Sequence, residues 1–181
     1  MKSRGLFITF EGPEGSGKST LIKVAAAFFR HRGFPVLMLR EPGGTAVSER
    51  IRGILLDEKE AISDECELLL YLAARAQLVK EKILPALQKG EVVICDRFHD
   101  STRAYQGYGA GVSLALIDVI GKYAKRGIEP DLTFLLDTDV ERGLKRAGRR
   151  DRVEKKSLAF HRRVRKGFLD LAEKHPERIV V

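Results

Sequence analysis

The chain has 181 residues and a mass of 20.3 kDa, a size that fits one domain with a single hydrophobic core and excludes multidomain machinery. It is 44% hydrophobic and 32% charged and contains no Trp, a composition typical of a folded globular protein rather than a disordered one. The net charge of +8 is uneven, because residues 142–178 hold 14 Lys and Arg against 5 Asp and Glu. A basic C-terminal third is compatible with binding to nucleic acid, with binding to an anionic small substrate, or with a solvated helix face. Charge alone does not distinguish these three interpretations.

The sequence indicates a cytoplasmic protein that does not enter a membrane. No apolar stretch approaches the roughly 18 residues that a membrane span requires. The hydrophobic run near the basic N-terminus breaks at Glu11 and is too short for the apolar region of a secretory signal. Cys66 and Cys95 lack metal-ligand spacing, so we interpret them as reduced, buried thiols.

Short apolar runs alternate with longer amphipathic stretches along the chain, a pattern typical of βα units around a parallel sheet. In chain order, strands are predicted at residues 6–10, 35–39, 92–95, 132–136 and 179–181. Helices are predicted at residues 18–31, 46–56, 65–88, 114–125, 140–147 and 157–174. Ser113 and Asp139 stand where N-caps are expected. We expect one α/β domain over residues 1–181, since the chain shows no internal repeat and no linker composition.

The strongest local signal is GPEGSGKS, residues 12–19, which satisfies the pattern G-x-x-x-x-G-K-[ST] between a predicted strand and a predicted helix. Its glycines let backbone amides surround a phosphate chain, and the helix N-terminus adds partial positive charge. Lys18 is expected to reach the β- and γ-phosphates, and the Ser19 hydroxyl to bind Mg²⁺. The segment therefore predicts a nucleoside triphosphate site. The residues predicted to line it are Gly12, Pro13, Glu14, Gly15, Ser16, Gly17, Lys18, Ser19 and Thr20.

This P-loop alone leaves ATPases, GTPases, helicases and kinases open. The chain contains no Asn, so it lacks the NKxD motif with which the common GTPases read guanine. Asp96 ends the apolar strand VVICD, in the position of an acidic residue that would hold Mg²⁺ or its waters beside the P-loop. Arg97 follows directly, and its guanidinium is expected to point at phosphates rather than into the core.

More arginines lie where predicted strands and helices meet, namely Arg40, Arg52 and Arg75. Any one of them could make only a surface salt bridge. Together they indicate a second anion beside the nucleotide, because a doubly wound sheet binds ligands at its carboxyl edge. The segment RAGRRDR, residues 146–152, is predicted to be either a flap that closes on phosphates or a solvated turn.

Six segments carry a resemblance to a known family. They are FEGPEGSGKST at residues 10–20, REPGGT at 40–45, YLAARAQ at 71–77, DRFHDSTRAYQG at 96–107, PDLTFLLD at 130–137 and DRVE at 151–154. In this order and spacing they resemble the signature segments of the thymidylate kinases, which belong to the nucleoside monophosphate kinase superfamily. The resemblance implies a P-loop NTPase three-layer fold with a five-stranded parallel sheet. It also implies a monophosphate-binding region at about 40–110 and a lid at about 146–156 in a single kinase domain.

The resemblance implies that ATP phosphorylates dTMP to dTDP, for dTTP synthesis, by direct in-line transfer with Mg²⁺ in a homodimer. It assigns the dTMP phosphate to Arg40, Arg52 and Arg97, and the thymine edge to Arg75. It also implies that Tyr71 stacks on the base and that Thr102 and Gln106 recognise the pyrimidine. Tyr105 is implied to lie against the sugar at C2′, and Glu14 to face the 3′-hydroxyl.

The family carries its catalytic arginine in the P-loop or in the lid, and here the P-loop has none, so the chain resembles the bacterial lid type. The catalytic residues implied are Lys18, Arg97, Arg149, Arg150 and Arg152, and the metal ligands implied are Ser19 and Asp96.

Two other functions stay open from the sequence. The basic C-terminal third is compatible with a P-loop ATPase that nucleic acid stimulates, although a translocating ATPase normally has more domains. A kinase for another monophosphate, such as dUMP, would need nearly the same residues. We expect ATP and dTMP as the partners, and neither nucleic acid nor a membrane.

Overall fold

A computed structural model describes residues 5–59, 61–148 and 151–181 of the chain. Its centre is a five-stranded parallel sheet with the strand order β2-β3-β1-β4-β5. The strands are β1 (Phe7–Glu11), β2 (Val36–Arg40), β3 (Val92–Asp96), β4 (Leu132–Leu135) and β5 (Ile179–Val180). All five residues of β1 are buried, as expected for a central parallel strand covered on both faces.

Helices cover the sheet, as the alternating pattern predicts. They are α1 (Lys18–His31), α2 (Ala46–Leu56), α3 (Asp64–Leu78), α4 (Leu84–Gln88), α5 (His99–Thr102), α6 (Leu114–Ala124), α7 (Val140–Ala147) and α8 (Leu158–Lys174). Two π-helical segments, Val79–Ile83 and Arg103–Gly109, continue α3 and α5. The predicted caps are confirmed, because the Ser113 and Asp139 side chains accept from the backbone amides of Leu116 and Arg142. Within the residues described, no helix is long and apolar enough to cross a bilayer.

The strand order brings three chain segments together at one edge of the sheet. Asp96, at the end of β3, lies in register with Phe10 of β1 and with Arg40 of β2. The P-loop follows β1 at the same edge. Strands β2 and β3 lie on one side of β1, and β4 and β5 lie on the other. Such a topological switch point opens a crevice at the carboxyl ends of the strands.

The predicted strands and the α/β class are confirmed, and five of the predicted helices begin and end within one residue of their observed bounds. Residues 65–88 differ, because the predicted single helix contains the π-helical segment Val79–Ile83 before Pro85. Proline has no backbone N–H and crowds the carbonyl one turn earlier, so the helix widens there. Residues 99–109 form a helical segment that apolar periodicity did not reveal. Cys95 is buried as expected, but Cys66 is exposed near the N-terminus of α3, so the expectation of two buried thiols is wrong for Cys66.

Helix α8 fixes the position of that segment. Phe160, Val164 and Phe168 of α8 pack with Tyr105 in one buried cluster. Gly109 permits the close approach, because a Cβ there would lie 2.6 Å from the Phe160 ring. The segment Arg103–Gly109 is therefore held between α8 and the site.

Candidate active site

The P-loop connects β1 to α1 with backbone that favours glycine. Gly12, Gly15 and Gly17 have φ values of 135°, 65° and 93°. A Cβ on Gly15 would lie 2.1 Å from the carbonyl oxygen of Gly143 in α7, so a side chain there would push α7 away. Gly17 is the N-cap of α1 and offers no side chain to the first amides. Those amides and the helix dipole remain for an anion.

Lys18 lies beneath this loop with 7% of its surface exposed. Its ammonium donates to the carbonyl oxygens of Gly12 at 3.0 Å and Pro13 at 2.9 Å, and to the Ser16 hydroxyl at 3.3 Å. Burial, and then repulsion from Arg97, lowers the pKa of Lys18 to about 8. The carbonyl groups that now accept from this ammonium are neutral. A bound phosphate would give the ammonium an anionic partner instead.

A cavity of about 380 Å³ opens in front of the loop. It is lined by Glu14, Gly15, Ser16, Gly17, Lys18, Ser19, Thr20, Arg40, Glu41, Arg52, Asp96 and Arg97. We call it the phosphate cavity. Ser19 and Asp96, the predicted metal ligands, both line it. A hydroxyl and a carboxylate beside a phosphate site are the hard oxygen donors that Mg²⁺ takes together with phosphate oxygens and water, so these residues fit that ion.

A second cavity, of about 180 Å³, adjoins the first. Its lining residues include Tyr71, Arg75, Ser101, Thr102, Tyr105, Gln106, Asp151, Val153 and Glu154. We call it the acceptor cavity. Glu14, Glu41, Arg52 and Arg97 line both cavities. The two spaces therefore meet at a wall of two carboxylates and two guanidinium groups.

Arg97 stands at this junction with a backbone φ of 68°, which is strained for a side chain larger than glycine. Its Nη1 donates to the Gly12 carbonyl at 3.0 Å and the Ser101 hydroxyl at 3.1 Å, and its Nη2 to Glu14 at 2.9 Å. Burial raises the pKa of the Glu14 carboxyl, but Arg97 and Lys18 outweigh burial and leave it below its ordinary value. Arg97 is therefore fixed in a charged network that faces both cavities.

Arg75 is almost fully buried, with 2% of its surface exposed. Its Nε donates to Glu41 at 2.7 Å, its Nη1 to the Thr102 hydroxyl at 2.9 Å, and its Nη2 to the Phe98 carbonyl at 3.0 Å. These contacts orient the guanidinium along the wall of the acceptor cavity. Glu41 keeps one carboxylate oxygen, Oε1, buried without a hydrogen bond, and burial, which outweighs Arg75, raises its pKa.

Arg40 and Arg52 are held less tightly. Arg40 lines the phosphate cavity and pairs with Glu49 at 3.2 Å across an exposed contact. Arg52 lines both cavities and donates to the Pro42 carbonyl at 2.9 Å. Arg40 has an exposed partner and Arg52 has a backbone acceptor, so both can turn toward an anion.

The residues predicted to read a base and a sugar line one cavity. Tyr71, Thr102, Tyr105 and Gln106 all face the acceptor cavity. The Tyr105 hydroxyl donates to Glu14 at 2.8 Å, which ties the predicted sugar contact to the P-loop. The Gln106 amide donates to Glu67 at 2.8 Å.

The predicted lid arginines are placed only in part. Arg149 and Arg150 lie outside the residues that the structure describes. Arg152 contacts Glu67 at 2.6 Å and donates to the Leu55 carbonyl at 3.0 Å, and it is not among the residues that line the phosphate cavity. Its catalytic role stays a prediction that requires this side chain to move.

Three buried carboxylates of this region were missed by sequence reasoning. Glu11 accepts from the Phe98 amide at 2.7 Å and from Ser101, and burial, followed by Asp100, raises its pKa to about 8. Glu41 and Glu67 are the other two. A signal for Glu67 exists, since it precedes Tyr71 by one helical turn on the same face of α3.

Comparisons with known proteins identify the family of this chain. Residues 10–181 match the family model for thymidylate kinase. A thymidylate kinase of Deinococcus radiodurans is 52% identical over 182 residues, which cover 99% of this chain and 88% of that protein. One of Carboxydothermus hydrogenoformans is 50% identical over 180 residues, covering 98% and 89%. The crystal structure of a thymidylate kinase from Ehrlichia chaffeensis superimposes with a TM-score of 0.84 at 37% identity, covering 98% of this chain and 92% of that one. The chain belongs to the thymidylate kinase family.

Proposed function

We propose that this protein transfers the γ-phosphoryl group of ATP to dTMP, giving ADP and dTDP, the diphosphate precursor of dTTP. The observation that carries the proposal is the pair of adjoining cavities, one in front of a P-loop and one lined by aromatic and amide side chains, with Arg97 at their junction. A donor and an acceptor bound on either side would meet at that arginine.

On the donor side, α1 and the P-loop amides bind the phosphate chain, and Lys18 gives up its carbonyl partners for phosphate oxygens. When bound between Ser19 and Asp96, Mg²⁺ would neutralise charge on the β- and γ-phosphates. Both residues already form part of the wall of the phosphate cavity.

For the acceptor, Arg52 and Arg97 at the junction of the two cavities, together with Arg40 in the phosphate cavity, neutralise and align the monophosphate. Tyr71 and Gln106 hold the base, and Tyr105 with Glu14 holds the sugar. Phosphoryl transfer needs alignment and positive charge rather than a protein nucleophile, and this cavity supplies both. The lid arginines Arg149, Arg150 and Arg152 are proposed to add charge once both substrates are bound.

The rival function, an ATPase stimulated by nucleic acid, has less support because much of the basic surplus is paired within the fold. Arg165 pairs with Asp137 at 2.6 Å, and Arg178 with Asp100 at 2.7 Å. Arg163 donates to the Gly109 carbonyl at 2.6 Å. These cations hold α8 and the start of β5 against neighbouring elements, and they do not form one basic surface that is available to nucleic acid. We also place the enzyme in the cytoplasm, where both free thiols, Cys66 and Cys95, would stay reduced.

We further propose that two copies associate through α3 and α6. Large apolar side chains stand exposed there, with Leu69 54%, Val119 71% and Tyr123 86% accessible. The two helices border a cavity of about 990 Å³ on this face. Exposed apolar side chains on two neighbouring helices are typical of an interface, and a twofold axis would let each copy cover these side chains of the other.

The test is a panel of nucleoside monophosphates with ATP and Mg²⁺, followed by ADP release and product identification. We expect turnover that depends on dTMP, with dUMP poorer by about 10–200-fold, the range for one methyl group in an apolar pocket. Added DNA should not stimulate ATP turnover. A better rate with AMP or dGMP, or turnover that requires DNA, would contradict the proposal.

A further inference from the structure

Glu67 lies at the N-terminal end of α3 and is 1% exposed. Side chains from two other parts of the chain converge on its carboxylate. Gln106 donates at 2.8 Å, Lys156 lies 3.2 Å from both oxygens, and Arg152 contacts Oε2 at 2.6 Å. Burial raises the pKa of Glu67, but Lys156 and the other donors outweigh burial and leave it below its ordinary value. The carboxylate is therefore charged at neutral pH.

We propose that Glu67 is a positioning residue that fixes the amide orientation of Gln106 and, through the same carboxylate, anchors the 151–156 segment over the acceptor cavity. The inference rests on the proposed function, because it concerns how that cavity selects its nucleobase. Glu67 thereby affects which base is bound although it does not contact the base.

The Glu67 carboxylate determines which end of the Gln106 amide faces it. An ionised carboxylate only accepts hydrogen bonds, so the NH₂ group of Gln106 must face Glu67. The Gln106 carbonyl oxygen is then the end left for a ligand in the acceptor cavity. Gln106 is 2% exposed, and the amide of Val112 donates to its backbone carbonyl at 3.0 Å, so the backbone is fixed as well.

A fixed carbonyl oxygen selects a base by its ring proton. The N3 position of thymine and uracil carries a hydrogen and can donate to this oxygen. The N3 position of cytosine is an acceptor, and it would face the oxygen with repulsion and an unmade hydrogen bond, which is costly in a buried site. Glu67 thus makes the cavity selective for pyrimidines that carry an N3–H group.

Glu67 also supports the segment that forms one wall of the acceptor cavity. Asp151, Val153 and Glu154 line the acceptor cavity, and Asp151 accepts from the amides of Val153 and Glu154 at 2.9 Å. This turn is joined to α3 by the contacts of Arg152 and Lys156 with Glu67. Loss of the Glu67 charge would leave both cations without their buried partner and loosen the wall.

The experiment compares Glu67→Gln with the parent enzyme on dTMP, dUMP and dCMP. Glutamine keeps the shape but presents its own NH₂ group, so the Gln106 amide is no longer held in one orientation. We expect KM for dTMP to rise about tenfold or more, and the ratio of kcat/KM for dTMP over dCMP to fall by a similar factor. KM for ATP should change by less than about twofold. A purely structural role would not change the preference among bases.

The matched control lies on the same segment. Lys155 pairs with Glu58 across an exposed contact, and exposed pairs contribute little. Lys155→Met should therefore leave both KM values and the base ratio within about twofold of the parent.

A second variant keeps the proposal testable if Glu67→Gln does not fold. Lys156 is partly exposed, so Lys156→Met should fold, raise KM for dTMP about threefold or more and leave the base ratio unchanged, because Glu67 still holds Gln106. An unchanged KM in Lys156→Met, or an unchanged base ratio in folded Glu67→Gln, would overturn the inference. Failure of the parent enzyme to phosphorylate dTMP would instead refute the proposed function.

Discussion

The affinity for ATP is expected to depend on pH, because the pKa of Lys18 is about 8 and Lys18 is proposed to contact the phosphate chain. A bound phosphate chain favours the protonated ammonium and raises this pKa, so binding takes up a proton when the pH exceeds about 8. We expect the Kd for ATP to be nearly constant from pH 7 to 7.5 and to rise about tenfold per pH unit above 8. Calorimetric titration across pH 7–9.5 measures it, above the range in which the phosphate itself titrates.

Lys18→Arg is the control for this prediction, since arginine stays charged throughout that range. The variant should bind ATP more weakly than the parent enzyme but with little pH dependence. A slope that persists in Lys18→Arg would point to Glu11, whose pKa is also near 8, and would contradict the assignment to Lys18.

Tyr105 is expected to exclude a 2′-hydroxyl by the bulk of its ring, because the ring lines the acceptor cavity while the hydroxyl is engaged by Glu14. Tyr105→Phe should keep the preference for dTMP over its ribose analogue, and Tyr105→Ala should reduce that preference. Measured kcat/KM ratios for the two nucleotides provide the test. If Tyr105→Phe loses the preference as fully as Tyr105→Ala, the hydroxyl and its bond to Glu14 carry the discrimination instead.

Residue types with a strong local signature were predictable from the sequence. Lys18 and Ser19 follow from P-loop spacing, and Asp96 and Arg97 follow from their place at a strand end. The contacts of Glu41 and Glu67 were not predictable, because each depends on donors more than 30 residues away in sequence. A single acidic residue after a strand, such as Glu41, or in an apolar helix, such as Glu67, looks like a surface position until the fold shows what surrounds it.

At the scale of elements, Gly121 determines how closely α6 approaches α5. A Cβ at Gly121 would lie 2.1 Å from the His99 ring, which is 5% exposed and has little room to move. Gly121→Ala should therefore lower the free energy of unfolding by about 1–3 kcal/mol through overpacking. Urea denaturation followed by circular dichroism measures the change.

Gly53 is the matched control, because it lies in the exposed part of α2, and no atom lies within 4 Å of the position that an added methyl group would take. Gly53→Ala should raise the free energy of unfolding by about 0.5–1 kcal/mol, the ordinary gain in helix propensity. Equal effects of the two substitutions would show that helix propensity, and not contact with His99, governs Gly121.

Elements with clear periodicity and caps were predicted to within a residue, as α1, α2 and α7 illustrate. The helical segment at residues 99–109 was not predicted, because polar and small residues there are buried by α8 and by the site rather than by an apolar stripe of their own. Tertiary contacts decided its conformation, and local pattern did not.

At the scale of the whole molecule, the sequence predicted a parallel sheet but not its order. The order places β3 between β1 and β2, and this arrangement brings Asp96 next to the P-loop and to Arg40. Strand order depends on how each crossover packs its helix, which is a property of the complete chain. The convergence of five of the six signature segments on two cavities followed only once that order was known.

The proposed dimer can be tested by a substitution on the exposed face of α6. Val119→Asp introduces a charge on the exposed apolar face of α6, and it should convert a dimer into a monomer near 20.3 kDa, because burying an unpaired charge in an interface is costly. Light scattering after size exclusion measures the mass.

Val24→Asp is the control for that substitution, since Val24 is 59% exposed on α1, away from this face, and its variant should stay dimeric. Both cavities are formed within one chain, so monomeric Val119→Asp should still phosphorylate dTMP. A parent enzyme that is monomeric at micromolar concentration would refute the dimer. Dissociation by Val24→Asp but not by Val119→Asp would move the interface to α1, where Leu21 and Phe28 are also exposed.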